Sequence, residues 1–336
     1  MAQNPRALAL ERLSAKVGES HRHTWAIPLE RQGVWPACQY LVDRPMLNAM
    51  RAAVGAGRPL LVEGEPGAGK SHFARAAASL CNRHFMSVVI QPNTEYEELL
   101  WTVDHTERLG RAHRPDPVPI AGDDFTGDPL DIRRFVCPGP LWYAFDFYGP
   151  KPPNRSQFRQ LESDDSKLVG NGVVLLIDEI DKADASLCNG LLEAFGNGGF
   201  EVPLLAQSVR CPPDRAPLIV LTSNRTRTLP AAFLRRCVIH RIVLPEGEAL
   251  VEHLVALGEV QFAEDRQGPL LHDSTLREAA KQIVRDRQVS GAESQVRAGV
   301  AEYLDLLRAI DEHALPGASE QSALLRDIAA FFHKRY

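Results

Sequence analysis

The sequence predicts an α/β fold: a parallel sheet with helices on both faces, followed by a smaller all-α domain. Three observations carry that reading. Short apolar runs alternate with helical stretches through the first two thirds of the chain, a glycine-rich loop joins the first run to an alanine-rich helix, and after Pro245 the pattern is helical alone. Continuous apolar runs of about four to eight residues suit parallel strands buried on both faces. Their alternation with helices argues for a doubly wound sheet.

In chain order, residues 1–24 are polar, with Leu8, Leu10 and Leu13 suggesting at most a short helix, and Trp25–Gln39 shows little periodicity. Residues 1–40 therefore read as a leader or docking arm. A helix is expected over Pro45–Val54, stopped by Gly55 and Gly57. Five strands follow, at Pro59–Glu63, Ser87–Gln91, Val173–Asp178, Leu218–Thr222 and Val238–Leu244, with helices at Lys70–Leu80, Thr94–Val103 and Ala185–Phe195. Residues 104–140 and Gly149–Gly172 are long polar interruptions, of the kind that usually serve a function in compact domains. The α/β region is placed at 41–245 and the helical region at 246–336, with helices near Glu246–Asp265, Ser274–Arg287, Ala292–Glu312 and Glu320–Lys334.

Composition narrows the class without naming it. The 336 residues are 44% hydrophobic and 24% charged, with 38 basic against 43 acidic side chains for a net charge of −5. That is a globular balance with no global attraction to nucleic acid or anionic membrane. Cys38, Cys81, Cys137, Cys188, Cys211 and Cys237 include no C-x-x-C pair, so neither a zinc site nor a disulfide framework is suggested. No signal-like or membrane-length apolar run is seen, and a cytoplasmic protein is expected.

The chemistry is concentrated in four short stretches. Gly64-Glu65-Pro66-Gly67-Ala68-Gly69-Lys70-Ser71 matches G-x-x-x-x-G-K-[ST], the Walker A phosphate loop. Its glycines let main-chain N–H groups turn toward phosphate oxygens, and the helix that follows presents its positive end to the same anion. Lys70 is expected to reach the β- and γ-phosphates and the Ser71 hydroxyl to ligate Mg²⁺; His72 follows directly and joins the nucleotide-binding set. Asp178 and Glu179 end an apolar strand about a hundred residues later, as a Walker B pair does. The aspartate is expected to hold Mg²⁺ and the glutamate to polarise water. Asp181 and Lys182 complete DEIDK, where a solvated helix start explains them equally well. Asn224, after the fourth strand, is expected to orient the lytic water, against the blander reading that Ser223 and Asn224 simply end a strand. Arg235 and Arg236 close LPAAFLRRC; one of them is expected to act across a subunit contact as an arginine finger, with Arg236 preferred.

Taken together, GEPGAGKS, VVLLIDEIDKA, LTSN and LPAAFLRRC resemble the AAA+ ATPases, and Gly139-Pro140-Leu141-Trp142 with FLRRCVIH resembles their MoxR branch, over roughly residues 40–310. That likeness implies a P-loop AAA+ sheet of five parallel strands in the order 5-1-4-3-2, a helical lid, and a homo-oligomeric, hexameric ring with ATP and Mg²⁺ between subunits. It makes Asn224 the first sensor, 104–140 a pore- or partner-facing insert, and 196–216 the hairpin before that sensor. Ser290–Arg297 only approximates the G-x-S-P-R-like stretch that carries a lid arginine in many relatives, which makes Arg297 a second-sensor candidate or an ordinary helix residue. Preference for ATP over GTP also follows from the likeness; no N-K-x-D stretch speaks for guanine.

The leading function is ATP hydrolysis coupled to remodelling of a client protein, one with a von Willebrand A domain being frequent in this branch. A nucleic-acid motor is the alternative from another class. Arg108, Arg111, His113 and Arg114 favour it, and the net charge opposes it. A slow, nucleotide-gated assembly switch is a third.

Overall fold

A computed structural model of the chain describes residues 4–18, 24–113, 128–147, 149, 171–262, 271–289 and 297–332. The chain forms two compact units from interleaved segments. Met1–Ser20, Pro45–Val62 and Ala77–His240 make the first, and His21–Arg44, Glu63–Ala76 and Arg241–Tyr336 make the second.

Eleven strands occur among the described residues, in chain order: β1 (Thr24–Leu29), β2 (Cys38–Asp43), β3 (Leu60–Glu63), β4 (His84–Val89), β5 (Trp101–Val103), β6 (Val136–Pro138), β7 (Val173–Asp178), β8 (Gly199–Val202), β9 (Gln207–Arg210), β10 (Leu218–Ser223) and β11 (Val238–Arg241). The central sheet of the first unit is parallel and five-stranded, ordered β11-β3-β10-β7-β4. Counted along the chain that order is 5-1-4-3-2, as the AAA+ likeness implies. The first five residues of β7 and all of β10 are buried, which is why Val173–Ile177 and Leu218–Leu221 are unbroken apolar runs. Leu218–Leu221 pair with Val174–Ile177, and His84–Val89 pair with Val173–Asp178.

The core of this unit gathers strand residues with Leu141, Trp142 and Phe145 of the helix Pro140–Phe145, and Leu187, Leu191 and Leu192 of the helix Ala185–Asn197. The latter helix has clear punctuation. Asp184 caps it, accepting from the Leu187 N–H at 2.8 Å, and Gly198 ends it at φ +60°.

Three expectations for this unit need correction. The second strand begins three residues early, at His84, because pairing with β7 and not local apolarity sets its start. The helix expected at Thr94–Val103 is only Tyr96–Leu100; Trp101–Val103 leave it to pair with Val136–Pro138. The first residues are more than a short polar lead: Pro5–Gly18 is a helix of 14 residues with Pro5, Ala9 and Leu13 buried. Arg6 fastens it to the helix Arg44–Ala56 by donating to the Val54 and Gly55 carbonyls at 3.0 and 2.6 Å.

In the 104–140 insert, Asp104 caps the helix His105–Ala112. Its basic side chains are tied locally: Arg108 donates to the Leu130 carbonyl at 2.9 Å, Arg111 pairs with Glu107 at 2.8 Å, and the His113 ring meets the Leu109 carbonyl at 2.8 Å. Arg114 lies outside the described residues. The hairpin expected within 196–216 is the antiparallel β8–β9 pair, Gly199 opposite Arg210 through Val202 opposite Gln207.

In the second unit, β1 and β2 pair antiparallel, Thr24 opposite Asp43 through Leu29 opposite Cys38. Residues 25–39, expected to lack periodicity, contain a strand whose Trp25, Ile27 and Leu29 alternate into the core. Pro28 sits on its exposed face, so the period-2 signal is only three apolar residues long. The helices Glu248–Gln261, Asp273–Val289, Val300–Asp311 and Ala318–Ile328 enclose a core of Leu250, Leu254, Ile283, Tyr303, Leu307 and Leu325. Buried Gln321 is fully engaged there: it accepts from the His272 N–H and the Thr275 hydroxyl, each at 3.0 Å, and donates to the Leu315 carbonyl at 2.8 Å.

Candidate functional site

The phosphate loop belongs to the second unit. Gly67 and Gly69 have φ of +75° and +82°, a region that glycine enters without strain. At Gly69 a second constraint applies, since a Cβ would sit 3.1 Å from the Tyr40 ring. Lys70 is buried, and its ammonium donates to the loop's own carbonyls, Gly64 at 3.0 Å and Glu65 at 2.7 Å. His72 packs between two aromatics, 6.4 Å from Tyr40 in a stacked arrangement and 5.8 Å from Trp35 edge to face. One turn on, Arg75 is buried and donates to the Glu30 and Pro36 carbonyls at 2.7 and 2.9 Å, with its guanidinium over the Trp35 ring. The strand pair and its turn therefore brace the helix that carries Lys70 and Ser71. Both Ser71 and His72 are half-buried, and Pro66 and Gly67 are exposed.

The C-terminal helices also reach this loop. A Cβ on Gly67 would approach that of Ala301 to 2.9 Å. Arg287, whose side chain is only 9% exposed, meets both carboxylate oxygens of Glu65, at 2.8 and 2.7 Å, and donates to the Ala298 carbonyl at 3.2 Å. Arg297 is half-buried beyond residues 290–296, which lie outside the described residues. The sequence singled out Arg297; Arg287, ten positions earlier and without a motif around it, is tied to the loop.

The acidic cluster belongs to the first unit, at the carboxyl ends of β7 and β10. The Thr222 side chain, fully buried, donates to Asp178 Oδ1 and accepts from the Glu179 N–H at 2.9 Å. One hydroxyl therefore fixes both members of the acidic pair. Glu179 holds a left-handed backbone at φ +60°, unusual for a residue with a side chain, and this turns the chain out of β7. Its carboxylate meets Asn224 Nδ2 at 3.4 Å, long for a hydrogen bond, and pairs with Lys182. Hydrogen bonding to Glu179 shifts Lys182 upward from its ordinary pKa. Asp178, Glu179 and Asn224 are thus brought together. Thr222 was passed over because a threonine ending a strand carries no signal in its spacing.

Asp181 corrects an expectation. Far from being a solvated helix start, it is 1% exposed and accepts from the Thr226 N–H at 2.9 Å and its hydroxyl at 2.7 Å. It ties the turn after Glu179 to the segment after Asn224. Lys182 beside it is exposed, as a solvated start requires.

Arg235 and Arg236 follow the helix Ala231–Leu234 and are exposed. They line an open cavity of about 800 Å³ with Asn189, Leu192, Glu193, Gly196, Asn197 and Ala232. Asp178, Glu179 and Asn224 are not part of that lining. Among the described residues no helix is long and apolar enough to cross a membrane.

Comparison with known proteins agrees with this arrangement. No curated protein matches the chain. Among solved structures, a candidate ATPase from Cytophaga hutchinsonii is similar at 13% identity, over 97% of this chain and 86% of that one, with a TM-score of 0.41, too loose a likeness to carry any argument. The AAA domain family of the dynein-related subfamily matches residues 59–237, more than half of the chain. With the five-stranded order β11-β3-β10-β7-β4 and the glycine loop after β3, the chain belongs to that AAA family.

Proposed function

We propose that this chain hydrolyses ATP with Mg²⁺ and uses the cycle to remodel a partner protein, as a MoxR-type AAA+ ATPase working in a homo-oligomeric ring. The observation that carries the reading is the hydroxyl of Thr222 holding Asp178 and Glu179 together, with Asn224 beside them. Two adjacent acids held in place by one buried hydroxyl suit water activation beside a cation.

The residues fit the groups they would hold. Positive-φ glycines and an ammonium resting on loop carbonyls suit a loop that exchanges those carbonyls for phosphate oxygens. Ser71 and Asp178 supply hydroxyl and carboxylate oxygens, the donors Mg²⁺ prefers, and the metal when bound would neutralise phosphate charge. Glu179 would take the proton of the attacking water and Asn224 would orient that water. Arg236, or Arg235, would act on the nucleotide of a neighbouring subunit. The client would be a protein, one with a von Willebrand A domain being the first to examine. The local ties of Arg108, Arg111 and His113 engage these basic groups within the protein, which speaks against their lining a nucleic-acid path.

Phosphate release by the wild type and by Glu179→Gln tests the first half. The variant is expected to bind Mg-ATP with unchanged affinity and to lose about 10²–10⁴-fold in kcat. Proteins retained by the ATP-loaded Glu179→Gln variant test the second half. Absence of any Mg-nucleotide affinity in the wild type would end the proposal.

A further inference from the structure

We infer that Glu65 and Arg287 form an exchangeable ion pair in which Glu65 is the resident competitor for an arginine that a bound triphosphate must win; this rests on the nucleotide reading above. The pair lies within the second unit and joins the second residue of the phosphate loop to the helix Asp273–Val289.

Its geometry is that of a held charge. Arg287 is nine-tenths buried, so leaving its guanidinium unpaired would be costly. In this structure it is satisfied by the two carboxylate oxygens of Glu65, at 2.8 and 2.7 Å, and the Ala298 carbonyl at 3.2 Å. Glu65 is 43% exposed, so it can return to water at much lower cost than its partner. The same residue holds Lys70 through its main-chain oxygen at 2.7 Å. Residue 65 therefore keeps one cation by its carbonyl and a second by its carboxylate.

A carboxylate in a phosphate loop is opposed in sign to the ligand. A triphosphate brings roughly four negative charges to the loop, repels Glu65 and attracts Arg287. Transfer of Arg287 from carboxylate to phosphate leaves a buried cation paired throughout, while the exposed partner is released to solvent. Ala301, whose Cβ would lie 2.9 Å from one on Gly67, sets the C-terminal helices against the loop, so a change in the Arg287 partner is felt by those helices. Glu65 is thus a positioning residue that acts through Arg287 and sets the threshold at which the loop fills.

The experiment is equilibrium titration of the full chain with Mg-ATP and Mg-ADP, for the wild type, Glu65→Gln, Arg287→Gln, Arg287→Lys and the Glu65→Gln/Arg287→Gln pair. Glu65→Gln is expected to tighten Mg-ATP by about fivefold. Arg287→Gln is expected to weaken it by about tenfold and to shrink the preference for ATP over ADP, with partial return of both in Arg287→Lys. In the double variant the Glu65 change is expected to give no tightening. Unchanged or weaker ATP binding in Glu65→Gln overturns the inference. Equal tightening with and without Arg287 also overturns it, because simple repulsion would then suffice. A wild type that binds no Mg-nucleotide removes the nucleotide reading itself and this inference with it; a wild type that binds, with a flat response at Glu65, removes only the inference.

Discussion

Replacing Thr222 by valine keeps the shape of the side chain and removes the hydroxyl that orients the acidic pair. Two hydrogen bonds are lost, one to the Asp178 carboxylate and one from the Glu179 N–H. The charged one is worth about 1.5–3 kcal/mol and the neutral one about 1 kcal/mol. Burial of an additional methyl returns about 1 kcal/mol, and Asp178, half-buried, recovers part of its loss from water. The net destabilisation is about 2 kcal/mol. Function should suffer more than stability, because the left-handed turn at Glu179 loses the anchor on its N–H. A carboxylate displaced by about 1 Å costs on the order of a hundredfold in kcat. Guanidinium unfolding, Mg-ATP titration and steady-state phosphate release on Thr222→Val and Thr222→Ser measure the three quantities separately. Serine keeps the hydroxyl and is expected to restore most of kcat; nucleotide affinity should change little in either variant. A valine variant with wild-type kcat, and stability within about 0.5 kcal/mol of the wild type, would refute the assignment of Thr222 as the group that orients Asp178 and Glu179.

Other sites give equally direct outcomes. Gly67→Ala combines a left-handed backbone with a 2.9 Å approach to Ala301, so a loss of about 1–3 kcal/mol and a clear drop in nucleotide affinity are expected by denaturation and titration. Leu13→Ala empties a fully buried position and should cost about 2–5 kcal/mol in the unfolding of the first unit; a detached arm would instead show no change. Burial lowers the pKa of His253, opposed in part by Asp43. The unfolded chain then binds the proton more readily than the folded one, so this contribution to stability is intact above the unfolded value of about 6.5 and is lost as pH falls through the folded pKa. Unfolding midpoints measured across that range should fall less steeply in His253→Gln than in the wild type.

Much of the scaffold was legible because its signals are local. A strand covered on both faces needs an unbroken apolar run, so β3, β7 and β10 were visible; a phosphate loop needs glycines, a lysine and a hydroxyl at fixed spacing, so Gly64–Ser71 was visible too. The order of the strands came from likeness to a family, since no spacing encodes which strand pairs with which. Where pairing overrides local pattern, the reading slipped: His84 joins a strand through its partner on β7, and Trp101 leaves a helix to meet Pro138.

The sequence by itself picked out Gly64–Ser71 as the candidate phosphate loop and Asp178 and Glu179 as the candidate acids, because those chemistries require particular groups at short intervals. Tertiary structure alone decided that Asp181 is buried against Thr226, that Thr222 joins Asp178 to Glu179, and that Arg287 holds Glu65 from 222 positions away. The physical reason is that a hydrogen bond or ion pair depends on distance in space and on burial, and neither is written in the spacing of residues along a chain.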